Sequence, residues 1–98
     1  MPPPIRIRKE IGFTHREILR LLPRLADGAA VSAEGTRIVI GSGARKVGIV
    51  LEAERERVLS ETVRIPYTPL ELAFYGYSAE DRDSFERRFD RLYFKGGG

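Results

Sequence analysis

The spacing of apolar residues switches between two regular periods along this chain, and the switches predict its elements. Pro2-Pro3-Pro4 favours an extended start, and Ile5-Arg6-Ile7-Arg8 then alternates with period two. This predicts an extended arm or edge strand over residues 1–10, with basic side chains that discourage edge-to-edge pairing. The spacing then turns helical. Thr14 and Glu17 form a capping box, Phe13 and Ile18 stand where a hydrophobic staple closes over it, and Ile18, Leu22 and Leu25 share one stripe. The Pro23 ring would clash with the carbonyl of Leu19, so a kink or a break is expected before an end near Asp27-Gly28.

Period two returns after that glycine. Residues 29–33 read as a weak strand, Glu34-Gly35 as a tight turn and 36–40 as a strong strand. Gly41-Ser42-Gly43-Ala44 makes a second turn before a strand over 45–52, in which Val47, Ile49 and Leu51 alternate. The charged run 53–57 reads as a hairpin tip, 58–65 as the returning strand, Pro66-Tyr67 as a corner and 68–77 as the last strand. Within 58–65, Leu59, Val63 and Ile65 are in phase with Glu61, which calls for a bulge or an arginine partner. Ser78 and Asp81 cap a final helix carrying Phe85, Phe89, Leu92 and Tyr93. Its acidic first turn (Glu80, Asp81, Asp83) and basic last turn (Arg91, Lys95) match the helix dipole.

Short connections demand antiparallel neighbours, because parallel strands need a crossover of a dozen or more residues. The expected fold is therefore α+β: an antiparallel meander sheet of four to five strands, with an N-terminal and a C-terminal helix packed on one face. Val47, Ile49 and Leu51 should join Leu70, Leu72 and Phe74 as the face that receives the helices. The opposite face should carry Arg37, Val39, Val50, Ala73, Tyr75 and Tyr77, with Gly48 leaving an opening. That face is too apolar for a plain solvated surface, so these residues are the candidate interaction surface.

Composition bounds the rest. The chain has 98 residues, 42% of them apolar, which suits one domain with one core spanning 1–98. It has no cysteine and a single histidine, so disulfides and thiolate chemistry are excluded and a transition-metal site would have to be built largely from carboxylates. With no signal peptide or membrane span visible, a cytoplasmic protein is expected. The net charge of +3 is uneven: residues 1–50 hold nine Lys/Arg against four Asp/Glu, and 51–98 hold eight against ten.

Candidate chemistry is sparse. Gly41-Ser42-Gly43-Ala44-Arg45-Lys46 lacks the spacing of a phosphate loop and reads as a turn. His15 falls at the first helical position, where a surface side chain is usual. Glu52, Glu54 and Glu56 read as part of a charged hairpin tip rather than a metal cluster, and Ser42, Ser60 and Thr62 have no visible base to activate them. No catalytic residue, cofactor or metal is therefore assigned. Partners are expected instead: a protein partner or a second copy of the chain on the open sheet face, or, alternatively, single-stranded nucleic acid stacked on Tyr75 and Tyr77. The chain end Lys95-Gly96-Gly97-Gly98 also resembles the diglycine tail of ubiquitin-like sulfur carriers. That resemblance, confined to those residues, implies a terminal carboxylate activated by an adenylating enzyme. Those carriers enter their tail from a strand, whereas here a helix precedes it.

Overall fold

The computed structural model describes residues 3–94. The first two residues, Lys95 and the glycine tail 96–98 lie outside the described residues. The elements in chain order are β1 (Ile5–Ile11), α1 (His15–Ala26), β2 (Val31–Glu34), β3 (Arg37–Ser42), β4 (Arg45–Leu51), β5 (Arg55–Val58), β6 (Arg64–Tyr75) and α2 (Ala79–Leu92). The fold is α+β. Its six strands are all antiparallel, in the order β1-β6-β4-β3-β2, with β5 pairing only with β6.

Two features depart from a simple meander. First, β1 is not a loose arm but a full edge strand, pairing from Ile5↔Phe74 to Ile11↔Thr68. Second, the hairpin after β4 turns later than the charge pattern suggests. Residues 53–57 are not its tip; the chain reverses over 59–63, where the Ser60 hydroxyl accepts from the backbone N–H of Thr62 and Val63. A serine side chain satisfying the backbone two and three residues on is a local turn device, and it outweighs the charge of 53–57. Glu61 thus falls in the turn, out of the strand alternation, and needs neither a bulge nor a buried partner.

Nor is Pro66-Tyr67 a corner, since β6 runs straight through both Pro66 and Pro69. The carbonyl of Pro69 accepts from Glu52 N–H, just beyond the last β4–β6 pair, Leu51↔Leu70. Pro69 has no N–H to return to the Glu52 carbonyl, which lies 2.6 Å from His15 Nε2 instead. By strand alternation Pro66 points the other way, past the last β1–β6 pair at Thr68. Pro66 therefore costs no ladder bond, and Pro69 costs one only at the very end of the β4–β6 ladder, where a sheet tolerates it.

The helices begin as the sequence indicates. Thr14 and Glu17 complete the capping box, with the Thr14 side chain accepting from Glu17 N–H and Glu17 reaching back to Thr14 N–H. Phe13 and Ile18, the staple pair, are both buried. Pro23 does not split α1: it sits in the last turn, and the helix closes with Asp27 in the left-handed region (φ 50°) and its N–H on the Pro23 carbonyl. The Leu25 carbonyl, left open at this end, accepts from Arg88 of α2 at 2.9 and 3.3 Å. In α2, Ser78 accepts from Asp81 N–H at 3.1 Å, and Asp83 pairs with Arg87 at 3.2 Å.

The expected apolar face forms in register: Val47↔Phe74, Ile49↔Leu72 and Leu51↔Leu70, all buried. Ile18, Leu22 and Leu25 of α1 and Phe85 and Phe89 of α2 join it in one hydrophobic cluster. Polar groups at its margin are bonded. Thr68 Oγ1 donates to the Phe13 carbonyl at 2.7 Å, and Tyr93 Oη donates to the Ile18 carbonyl at 2.9 Å. Lys9 reaches from β1 to Glu86 and Asp90 of α2 at 3.0 and 3.1 Å. Partial burial alone would lower the Lys9 pKa, but these two carboxylates raise it above its ordinary value.

Burial pushes the Tyr93 hydroxyl up to about 12 from its ordinary 10.0. A neutral tyrosine is thus favoured by folding, and its contribution holds below the unfolded value and is lost as pH rises toward the folded one. Stability to urea should fall between about pH 10 and about pH 12. Tyr93→Phe should flatten that alkaline decline, while costing roughly 0.5–1.5 kcal/mol at neutral pH for the lost hydrogen bond to the Ile18 carbonyl. Equal alkaline slopes in the two proteins would refute this.

Candidate interaction surface

Strand alternation sends one set of side chains into the core and the other to the opposite side of the sheet. Register places Arg37 beside Val50, Val39 beside Gly48, Gly48 beside Ala73, and Lys46 beside Tyr75. Five of the six candidate residues, Arg37, Val39, Val50, Ala73 and Tyr75, therefore share the open face. Val50 and Tyr75 are each 37% exposed, but Ala73 only 7%. A Cβ built on Gly48 meets nothing within 4 Å, so the opening above it is real.

Tyr77 does not belong to this face. Gly76 has φ 70° and ends the strand, so the alternation that would have carried Tyr77 outward is broken one residue earlier. Its ring packs edge-on against Phe74 and Phe85, with centroids 5.3 and 6.2 Å away, and the Arg45 guanidinium lies 4.6 Å above it. Tyr77 therefore adds to the core margin rather than to the open face.

Charge covers part of what remains. Arg6 bonds Glu71 at 2.7 Å across β1 and β6, and Arg8 bonds Glu52. The hydrogen bond from Arg8 holds the Glu52 carboxyl below its ordinary range. Lys46 Nζ lies 5.5 Å over the Tyr75 ring. The central face is thus a small apolar patch fenced by ion pairs.

The larger apolar surface lies on the β5–β6 hairpin. Pairs Arg57↔Ile65 and Arg55↔Tyr67 define its register, and the Leu59 N–H to Val63 carbonyl bond (2.9 Å) extends it by one step. Leu59, Val63, Ile65 and Tyr67 consequently share one side, the side of β6 that also carries Ala73 and Tyr75. Leu59 is 59% exposed, Val63 46% and Ile65 38%, and Val58 on the other side is 57% exposed. A twelve-residue strand spans about 40 Å, and the molecule measures 49 Å by 26 Å by 24 Å, so the hairpin stands out from the body as an arm.

The root of this arm is held firmly. His15 Nε2 lies 2.6 Å from the Glu52 carbonyl, and His15 N–H donates to Glu54 at 3.0 Å. The carboxylate of Glu54 thereby meets the positive end of α1. His15, expected at the surface, is half-buried and fixes the segment that launches β5. Arg57 bonds Glu10 at 3.3 Å and stacks 4.9 Å over Tyr67. Pinned at the base and bare at the tip, the arm is placed rather than loose.

The sequence pattern puts Leu59, Val63 and Ile65 in phase with Glu61 and makes Glu61 the difficulty, so the three do not stand out as a surface. The signal that would have found them is the Ser60 turn, which moves the hairpin tip and joins Val63 and Ile65 to β6 on the side away from both helices.

Other recesses offer little chemistry. A depression of about 250 Å³ between α1, α2 and the β3–β4 turn contains Arg45 and Arg88. Both are already engaged, Arg45 with Asp81 at 3.5 Å and Arg88 with the Leu25 carbonyl. Among the described residues no three His, Asp or Glu side chains are grouped as a metal site, and every buried side-chain polar atom has a partner. No described helix is long and apolar enough to cross a membrane. Comparison with known proteins finds no family model, no curated protein and no solved structure that matches the chain.

Proposed function

We propose that this chain is a non-catalytic protein-interaction module of the cytoplasm, which docks a protein partner on the apolar side of the β5–β6 arm and the adjoining open sheet face. The observation that carries the reading is the exposure of Leu59, Val63 and Ile65 on one side of a hairpin whose root is fixed. Leaving several large apolar side chains in water on a positioned element has no folding rationale, and such patches mark contact surfaces. The arm continues the face that bears Val39, Val50, Ala73 and Tyr75, with Arg37 at its rim, so one partner can span both.

Nucleic-acid binding has less support, because Tyr77 is engaged with Phe74 and Phe85, which leaves Tyr75 alone of the expected stacking pair. The carrier reading rests on a tail outside the described residues.

The test is affinity capture from source cells with the wild type beside Leu59→Ser/Ile65→Ser. Both substitutions are at exposed sites, so the melting temperature should move little. A protein retained in near-stoichiometric amount by the wild type should drop at least tenfold with the double variant. Identical companions on both baits, or none on either, would overturn the proposal.

A further inference from the structure

Three strands have a side with no partner among the described residues, namely β1, β2 and β5. An unpaired edge invites pairing with another strand, and proteins usually blunt it with charge. β1 carries Arg6, Arg8, Lys9 and Glu10. β5 alternates Arg55-Glu56-Arg57. When such a strand pairs antiparallel with its own copy, directly opposed residues must share a face, so arginine meets arginine and glutamate meets glutamate, which is destabilising. β2 carries only one charge, Glu34, at its end. It reads Val31-Ser32-Ala33-Glu34, follows Gly28-Ala29-Ala30, and is exposed along its whole length.

The backbone of β2 sets the register of any partner. The Ala30 carbonyl accepts from Gly41 N–H at 2.8 Å and so faces β3. Backbone groups alternate along a strand, so Ser32 and Glu34 also face β3, while the N–H and C=O of Val31 and of Ala33 point away from the sheet. We propose that a second copy of the chain pairs here, β2 against β2, antiparallel about a two-fold axis normal to the sheet at Ser32.

In that register Val31 lies opposite Ala33 of the second copy, and the two exchange both hydrogen bonds. The symmetry repeats this on the other side of the axis, so every outward backbone group of Val31 and Ala33 is used. Glu34 faces Ala30 of the second copy, and no like charges are directly opposed. The side chains at the contact are small enough for close approach, and Val31, 42% exposed in one copy, gains a neighbour. The two sheets become one, with both open faces on the same side. Both arms stay free, because β6 lies beyond β3 and β4 from this edge. The pairing therefore does not depend on the arm reading, and it would present the arm surface twice.

So short a contact buries less than the roughly 1,200 Å² of a standard interface, and the dimer should be concentration-dependent. Sedimentation equilibrium up to about 1 mM should show a reversible monomer–dimer equilibrium. Ser32→Lys places like charges across the axis, and Ser32→Asp does the same with the opposite sign; each alone should weaken dimerisation at least tenfold, and an equimolar mixture of the two should recover it. Ala33→Pro removes an outward N–H without touching the β2–β3 ladder, and should also yield a folded monomer. A wild type that stays monomeric throughout overturns the proposal. So does a dimer that survives Ser32→Lys, or one lost with Leu59→Ser/Ile65→Ser.

Discussion

Phe89→Ala should be among the most damaging single substitutions in this chain, lowering the free energy of unfolding by about 3–5 kcal/mol. Phe89 is fully buried, and its ring lies between Phe85 (6.5 Å, stacked) and Tyr93 (4.8 Å) on the line where α2 meets the sheet. Truncation removes transfer free energy and also leaves a cavity that flanking rings on a helix cannot easily collapse to fill. In a domain of this size 1 kcal/mol moves the melting temperature by about 4–8 °C, so a drop of more than about 12 °C is expected. Phe89→Leu, which keeps most of the volume, should lose less than half as much. A calorimetric scan of Phe89→Ala within a few degrees of wild type would mean that α2 does not seat on the sheet through this ring.

Gly76→Ala should cost about 3 kcal/mol or more, for a different reason. Gly76 has φ 70°, and a Cβ there would lie 2.0 Å from the Ala44 carbonyl oxygen and 3.0 Å from its carbon. Ala44 belongs to the turn between β3 and β4, so the chain leaving β6 closes directly onto backbone that cannot swing aside. Relieving the clash would move the start of α2 or open the β3–β4 hairpin. Gly48→Ala is the control. Its added methyl meets nothing within 4 Å and its backbone is ordinary extended strand, so stability should stay within about 0.5 kcal/mol of wild type. Urea unfolding of the two variants side by side tests the argument. Equal, small effects would show that the close approach at Gly76 is not a constraint on the fold.

Much of this architecture was legible because it is local. The capping box of Thr14 and Glu17, the Ser78 cap, a turn within 41–44 (tighter in the structure, at Gly43-Ala44) and the alternation in 45–51 are decided by residues within a few positions of one another. That Val47, Ile49 and Leu51 share an apolar face with Leu70, Leu72 and Phe74 was also readable, since each strand has one apolar side; their direct pairing was not, because 58–65 reads as a strand between them. For the candidate surface the same alternation placed Arg37, Val39, Val50, Ala73 and Tyr75 on one face. It failed at Tyr77, because one glycine with positive φ ended the period just before it.

The arm was missed for a related reason. Periodicity identifies which residues share a side, but not whether anything lies opposite them. Leu59, Val63 and Ile65 read as core-facing until the hairpin turn is fixed at Ser60 and Val63 and Ile65 join β6 on the side of Ala73 and Tyr75, away from both helices. The partner of β1 was likewise invisible: Ile5 pairs with Phe74, far along the chain, and short-range patterning carries no information about such a contact.

The sequence by itself therefore determined the elements, their caps and their apolar sides, all of which follow from side-chain period and local hydrogen bonding. Only the tertiary structure decided which edges stay open and which apolar side chains remain uncovered. Those depend on where the layers end, a property of the assembled sheet and of the reach of the two helices. That is why the unguarded edge at β2 and the bare tip of the arm, the two places where a partner is expected, emerge only from the folded molecule.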